Sequence, residues 1–127
     1  MREFIFFTSK PITFNDCFDA LKSEIPHIEK CGETDIWINA KSRSFLLFSS
    51  DSINDFIFDT PEEFETFKSK IPIQNPCITD FETHRSIDAK RVVSVLMKLY
   101  PDLYINVNDS SNWFGTAQEY LDTEFDY

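Results

Sequence analysis

The stretch that decides the fold is EFIFFT, residues 3–8. A strand with one face in water alternates apolar and polar side chains, because successive side chains point to opposite faces. This one carries Phe4, Ile5, Phe6 and Phe7 without a break. Both of its faces must therefore be covered, which predicts an interior strand of a sheet with helices packed against it. The helical segments that supply the cover can be read downstream. Thr13 and Asp16 have the spacing of an N-terminal cap, Phe14, Cys17, Phe18, Leu21 and Ile25 recur at helical spacing, and Pro26 ends the run.

Working outward, DIWIN (35–39) and SFLLFS (44–49) read as two strands of a hairpin joined by AKSR. DFIFD (55–59) reads as a short third run beside them. Thr60-Pro61-Glu62-Glu63 is a helix start, with an N-cap, Pro at the first helical position and Glu at the third. Phe64, Phe67 and Ile71 mark its apolar face, and Pro72 and Pro76 bracket a turn. CITDF (77–81) reads as a strand, and Ser86 opens the longest helix, IDAKRVVSVLMKLY, which stops before Pro101. Its wide apolar face suits packing on a sheet. LYINV (103–107) sets Leu103, Ile105 and Val107 on one face and Tyr104 and Asn106 on the other. Thr116 and Glu119 form a second capping box, opening a short final helix. The expectation is one α+β domain over residues 1–127: a single mixed β-sheet with helices packed against it, in the order β-α-β-β-β-α-β-α-β-α.

With 127 residues, 42% hydrophobic, the chain buries a core without disulfides. Cys17, Cys31 and Cys77 are odd in number and widely spaced, which fits a reducing compartment rather than a disulfide framework. MREFIFFTSK is too short in its apolar run for a signal peptide, and no run reaches membrane-spanning length, so a cytoplasmic location is expected.

Several chemistries lack their residues. Phosphate cradles need clustered glycines, and Gly32 and Gly115 stand alone. His27 and Cys31 lie four apart in HIEKC, on one face if that segment is helical, yet no pair has zinc-site density. A calcium loop running from Asn108 to Glu119 puts Trp113 where the sharp turn requires Gly. No nucleophile elbow is present, and His27 and His84 read as loop histidines. No metal or cofactor is expected. A small-molecule enzyme using His27 or His84 with a cysteine or carboxylate stands as the alternative, to be recognised by a concave site.

Charge carries more information. The net charge is −10, and such acidity disfavours nucleic acid and anionic membrane as partners. Six acids and no base lie between Leu99 and Tyr127, namely Asp102, Asp109, Glu119, Asp122, Glu124 and Asp126. Six more, Asp51, Asp55, Asp59, Glu62, Glu63 and Glu65, lie between 51 and 65, again without a base. The other ten acids stand against all twelve bases, so the excess sits in two segments. Aromatic residues, Tyr104, Trp113, Phe114, Tyr120, Phe125 and Tyr127, interleave the second. Acids around aromatic anchors steer and hold a basic partner. The candidate contact residues are Tyr104, Asp109, Asn112, Trp113, Glu119, Asp122, Glu124, Asp126 and Tyr127, with Asp55, Asp59 and Glu62 from the earlier segment. An acidic adaptor or nucleic-acid mimic would use the same charges, spaced along one face like phosphates.

The C-terminal portion, a helix followed by PDLYINVNDSSNWFGTAQEYL, resembles the ending of small acidic immunity proteins of bacterial contact-dependent inhibition and polymorphic-toxin systems. The matching residues are Pro101, Tyr104, Asp109, Trp113, Gly115, Glu119, Tyr120 and Leu121. The resemblance implies a non-enzymatic inhibitor that binds one cognate toxin C-terminal domain, often a basic nuclease, and blocks its active site.

Overall fold

The computed structural model describes residues 2–25, 27–31, 35–39, 44–52, 60–74, 76–83, 86–107 and 112–123. Strand β1 (Arg2–Thr8) is followed by α1 (Phe14–Glu24), then β2 (Glu29–Cys31), β3 (Asp35–Asn39) and β4 (Ser44–Ser52). Helix α2 (Pro61–Ser69) leads to β5 (Cys77–Thr83), α3 (Ser86–Leu99), β6 (Tyr104–Val107), β7 (Trp113–Thr116) and α4 (Ala117–Leu121). Among the described residues the strands form one seven-stranded sheet in the order β2-β3-β4-β5-β1-β6-β7. The protein is an α+β fold.

β1 is interior, as its unbroken apolar run requires. It pairs with β5 on one side and β6 on the other, both antiparallel. Its side chains divide by parity. Phe4 and Phe6 enter a core with α1, α3 and α4, while Ile5 and Phe7 enter a second core with Ile71 and Ile78 on the opposite face. Phe6 stacks on Phe81 of the neighbouring strand at 5.2 Å, and Phe4 meets Tyr120 of α4 edge-on at 5.7 Å. Each fully buried Phe contributes about 1.5–3 kcal/mol relative to an exposed one.

The sheet departs from the mixed arrangement in that every described pair of neighbouring strands is antiparallel. The reason lies in the crossovers. α3 carries the chain from β5 over β1 to β6, so the two strands that run the same way have β1 between them. α1 likewise carries the chain from β1 to β2 at the far edge. Two strands are additional to the expected order. HIEKC is not helical: Glu29–Cys31 is β2, paired with β3, so His27 and Cys31 do not share a helix face. WFGT, which no predicted element covers, is β7, paired with β6 from Tyr104↔Thr116 to Val107↔Trp113. The DFIFD run at 55–59, the AKSR joint and Pro26 lie outside the described residues.

Helix starts follow the sequence. The Thr13 hydroxyl accepts from the Asp16 amide (3.3 Å), and that of Thr60 from the Glu63 amide (3.2 Å). Thr116 and Glu119 make a reciprocal box, with bonds of 3.1 and 3.0 Å. The Asp102 carboxylate accepts from the Ser9 amide at 3.0 Å, tying the end of β1 to the turn before β6.

Candidate functional site

The β6–β7 hairpin is held by buried Asn106. Its amide nitrogen donates to Asn112 Oδ1 (3.1 Å) and to the Trp113 carbonyl (3.0 Å). Asn112 has φ 47, in the left-handed region that Asn tolerates better than most residues. The hairpin thus enters β7 with its alternation fixed. Trp113 and Gly115 face α4, and Phe114 faces α2.

That parity sorts the aromatic residues. Trp113 is half-buried, packs against Tyr120 at 6.0 Å and lies over Gly115. A Cβ on Gly115 would stand 2.6 Å from the Trp113 Cζ2 atom, so only glycine leaves room for the indole. Trp113 is a partial lid on the core. Phe114 points the other way and meets Phe67 of α2 edge-on at 5.6 Å.

Between α2 and the hairpin runs a cleft of about 370 Å³. Glu62, Glu63 and Thr66 line it from α2, and Asn112 and Phe114 from the hairpin. Phe67 and Lys70 complete the lining, with the Lys70 ammonium 5.1 Å from the centre of the Phe114 ring. The Phe114 ring thus already holds a cation of the chain itself. Glu62 and Asn112, from two separate acidic segments, are brought to one opening. On the same side of the hairpin, Tyr104 is half-buried against the α2-side core. Burial, with a smaller effect of the Glu119 carboxylate, raises the Tyr104 phenol above its ordinary range.

The remaining candidates divide. Asp122 is exposed at the end of α4 and accepts from Gln118 at 3.1 Å, away from the cleft lining. The Glu119 carboxylate is committed to the Thr116 amide. Asp109, Glu124, Asp126, Tyr127, Asp55 and Asp59 lie outside the described residues. Sequence reasoning did not single out Thr66, Phe67 or Lys70 as site residues; the apolar spacing of α2 marked Phe67 only as core.

A second cavity, about 570 Å³, opens between the end of α1 and the outer flank of α3, and His27 lines it. No cysteine does. Cys17 is in the core, where burial pushes its thiol up to about 12, and Cys77 is half-buried with its thiol toward the Ser9 carbonyl. His27 thus shares the cavity with the carboxylate of Glu24 but with neither Cys17 nor Cys77, and His84 lies outside the described residues. No group of three or more metal-ligating side chains occurs among the described residues. No helix there is long and apolar enough to cross a membrane.

Compared with protein-family models, curated proteins and solved structures, the chain matches none.

Proposed function

We propose that this chain is a cytoplasmic, non-enzymatic inhibitor of the immunity-protein kind, which binds and neutralises a basic toxin domain, a nuclease foremost. The observation that carries the reading is the cleft between α2 and the β6–β7 hairpin, where Glu62 and Glu63 meet Asn112 and Phe114. Its two carboxylates come from the first acid-rich segment, and the hairpin of the second supplies Asn112 and Phe114. A nuclease must hold phosphates with Lys and Arg, and those side chains are what such a surface attracts. Carboxylates give the long-range attraction, and the Phe67–Phe114 pair gives apolar ring surface for an arriving side chain to pack on.

The test uses the C-terminal domain of the secreted protein encoded immediately upstream. Its association rate with this chain is measured at rising ionic strength, for the native protein and for Glu62→Lys/Glu63→Lys. The rate is expected to fall steeply with salt and by about 10-fold or more on charge reversal. The absence of such a reading frame, or a rate indifferent to both salt and the substitutions, would end the proposal.

A further inference from the structure

The larger cavity has the opposite electrostatic character from the cleft, and we propose that it binds a small amphipathic anion, a carboxylate or phosphate carried on an apolar body. Its volume, about 570 Å³, lies in the range of small-molecule sites. Ile25, Ile87 and Val95 provide apolar wall, and Ile87 is 48% exposed, an uncovered side chain at the rim. The polar lining is mostly of donors: Arg91, Ser94 and His27.

The use to which each polar group is already put decides the ligand's charge. Glu24, the acid of the lining, is paired with Lys98 at 3.4 Å. Lys90 is also engaged. Its ammonium donates to the carbonyls of Leu121 (3.4 Å) and Thr123 at the end of α4, where a cation complements the helix dipole. Arg91, Ser94 and His27 have no hydrogen bond or ion pair with any described residue. Among the described residues, three donors without a partner thus border one apolar-walled cavity, in a chain whose net charge is −10. A guanidinium fork matches a carboxylate or phosphate with two parallel bonds. Arg91 is therefore the head-group residue, and Ile87 the residue that selects for an apolar body.

The experiment is a titration of the isotope-labelled full chain, followed by amide NMR. The probes are phenyl phosphate, phenylacetate, inorganic phosphate and benzyl alcohol. Ligands of this size bind with Kd on the order of 1 mM. Shifts at Ile87, Arg91, Ser94 and Val95 are expected with phenyl phosphate or phenylacetate, and the two arms tell which head group is preferred. Arg91→Gln should weaken the better probe about 10-fold, and Arg91→Lys by less, because it keeps the charge but loses the fork. Ile87→Ser should weaken the aryl probes alone. Arg91 and Ile87 are exposed, so the variants should keep the native amide spectrum. The proposal is overturned if inorganic phosphate or benzyl alcohol binds as tightly as the aryl anions. It is also overturned if shifts fall outside the α1–α3 groove, or if Arg91→Gln binds like the native chain.

Discussion

Gly115→Ala tests the packing of the β6–β7 hairpin most directly. The new methyl would stand 2.6 Å from Trp113 Cζ2, closer than real side chains approach, and 3.1 Å from Cζ3. The backbone of β7 is held to β6, so the indole must swing off the core. If roughly half of a Trp's 150–250 Å² is covered here, about 100 Å² returns to water, worth about 2.5 kcal/mol. Loss of the ring contact with Tyr120 adds about 0.5–1.5 kcal/mol. Replacing Gly by Ala within a strand returns about 0.5–1 kcal/mol. The net cost is about 2–3.5 kcal/mol, a fall in Tm of about 10 °C for a chain of this size. Urea unfolding gives the free energy. Trp113 emission, read in a Trp37→Phe background, should shift to the red in the folded state. The decisive control is the double mutant. With Trp113→Ala already present, Gly115→Ala meets no ring and should be neutral or slightly stabilising. If it costs the same in both backgrounds, the indole does not lie over Gly115 and the inward reading of Trp113 is wrong.

Three further outcomes follow from the same geometry. Thr116→Ala should cost about 1 kcal/mol in urea unfolding, because it removes one half of the capping box on α4, and Thr116→Gly should cost less. Asn106→Ala should cost about 1–3 kcal/mol, since it strips the donors from the Asn112 side chain and the Trp113 carbonyl; Asn112→Gly, which keeps the positive φ, should cost less. Burial holds the Cys17 thiol near 12 against 9.0 when free, so it should resist alkylation at pH 8 in the folded chain and react on unfolding. A folded-state value raised in this way gives stability that is complete below about pH 9 and is lost as pH rises toward 12. Between pH 8 and 10 the native chain should therefore lose about 1.4 kcal/mol more than Cys17→Ala does; equal losses would place the thiol in contact with water.

How far the sequence disclosed this fold depended on whether the signal was local. The run Phe4–Phe7 required a strand covered on both sides, and it lies between β5 and β6 with a core on each face. Each Thr-capped helix start was legible because a cap is decided within four residues. β2 and β7 were not legible. Glu29–Cys31 has no alternation long enough to register, and it is a strand because β3 offers it a partner. WFGT carries a glycine that weakens strand propensity. It is a strand because β6 lies alongside and the Asn106 side chain anchors its first carbonyl. Strand order was likewise a tertiary matter, set by α1 and α3 carrying the chain over intervening strands.

The candidate site was legible in composition but not in arrangement. Two acidic, base-free segments could be named from the sequence, and of the residues named in them Glu62 and Asn112 line the cleft, with Tyr104 on the same face of the sheet. The sequence could not divide the aromatic residues, because that division needs the parity of a strand not recognised as one. Once Trp113–Thr116 is a strand, adjacent residues must point to opposite faces. Trp113, the more conspicuous interface anchor, then goes to the α4 side and covers the core, while the less conspicuous Phe114 takes the place beside the acids. A partner that reads the cleft should therefore be far more sensitive to Phe114→Ala, at about 2 kcal/mol or more of binding energy, than to Trp113→Ala. The Trp113 substitution should instead appear in unfolding free energy. Titration calorimetry against the proposed toxin partner, set beside urea unfolding of both variants, separates the two roles. Equal losses of affinity would mean that the hairpin binds along its edge rather than through the cleft.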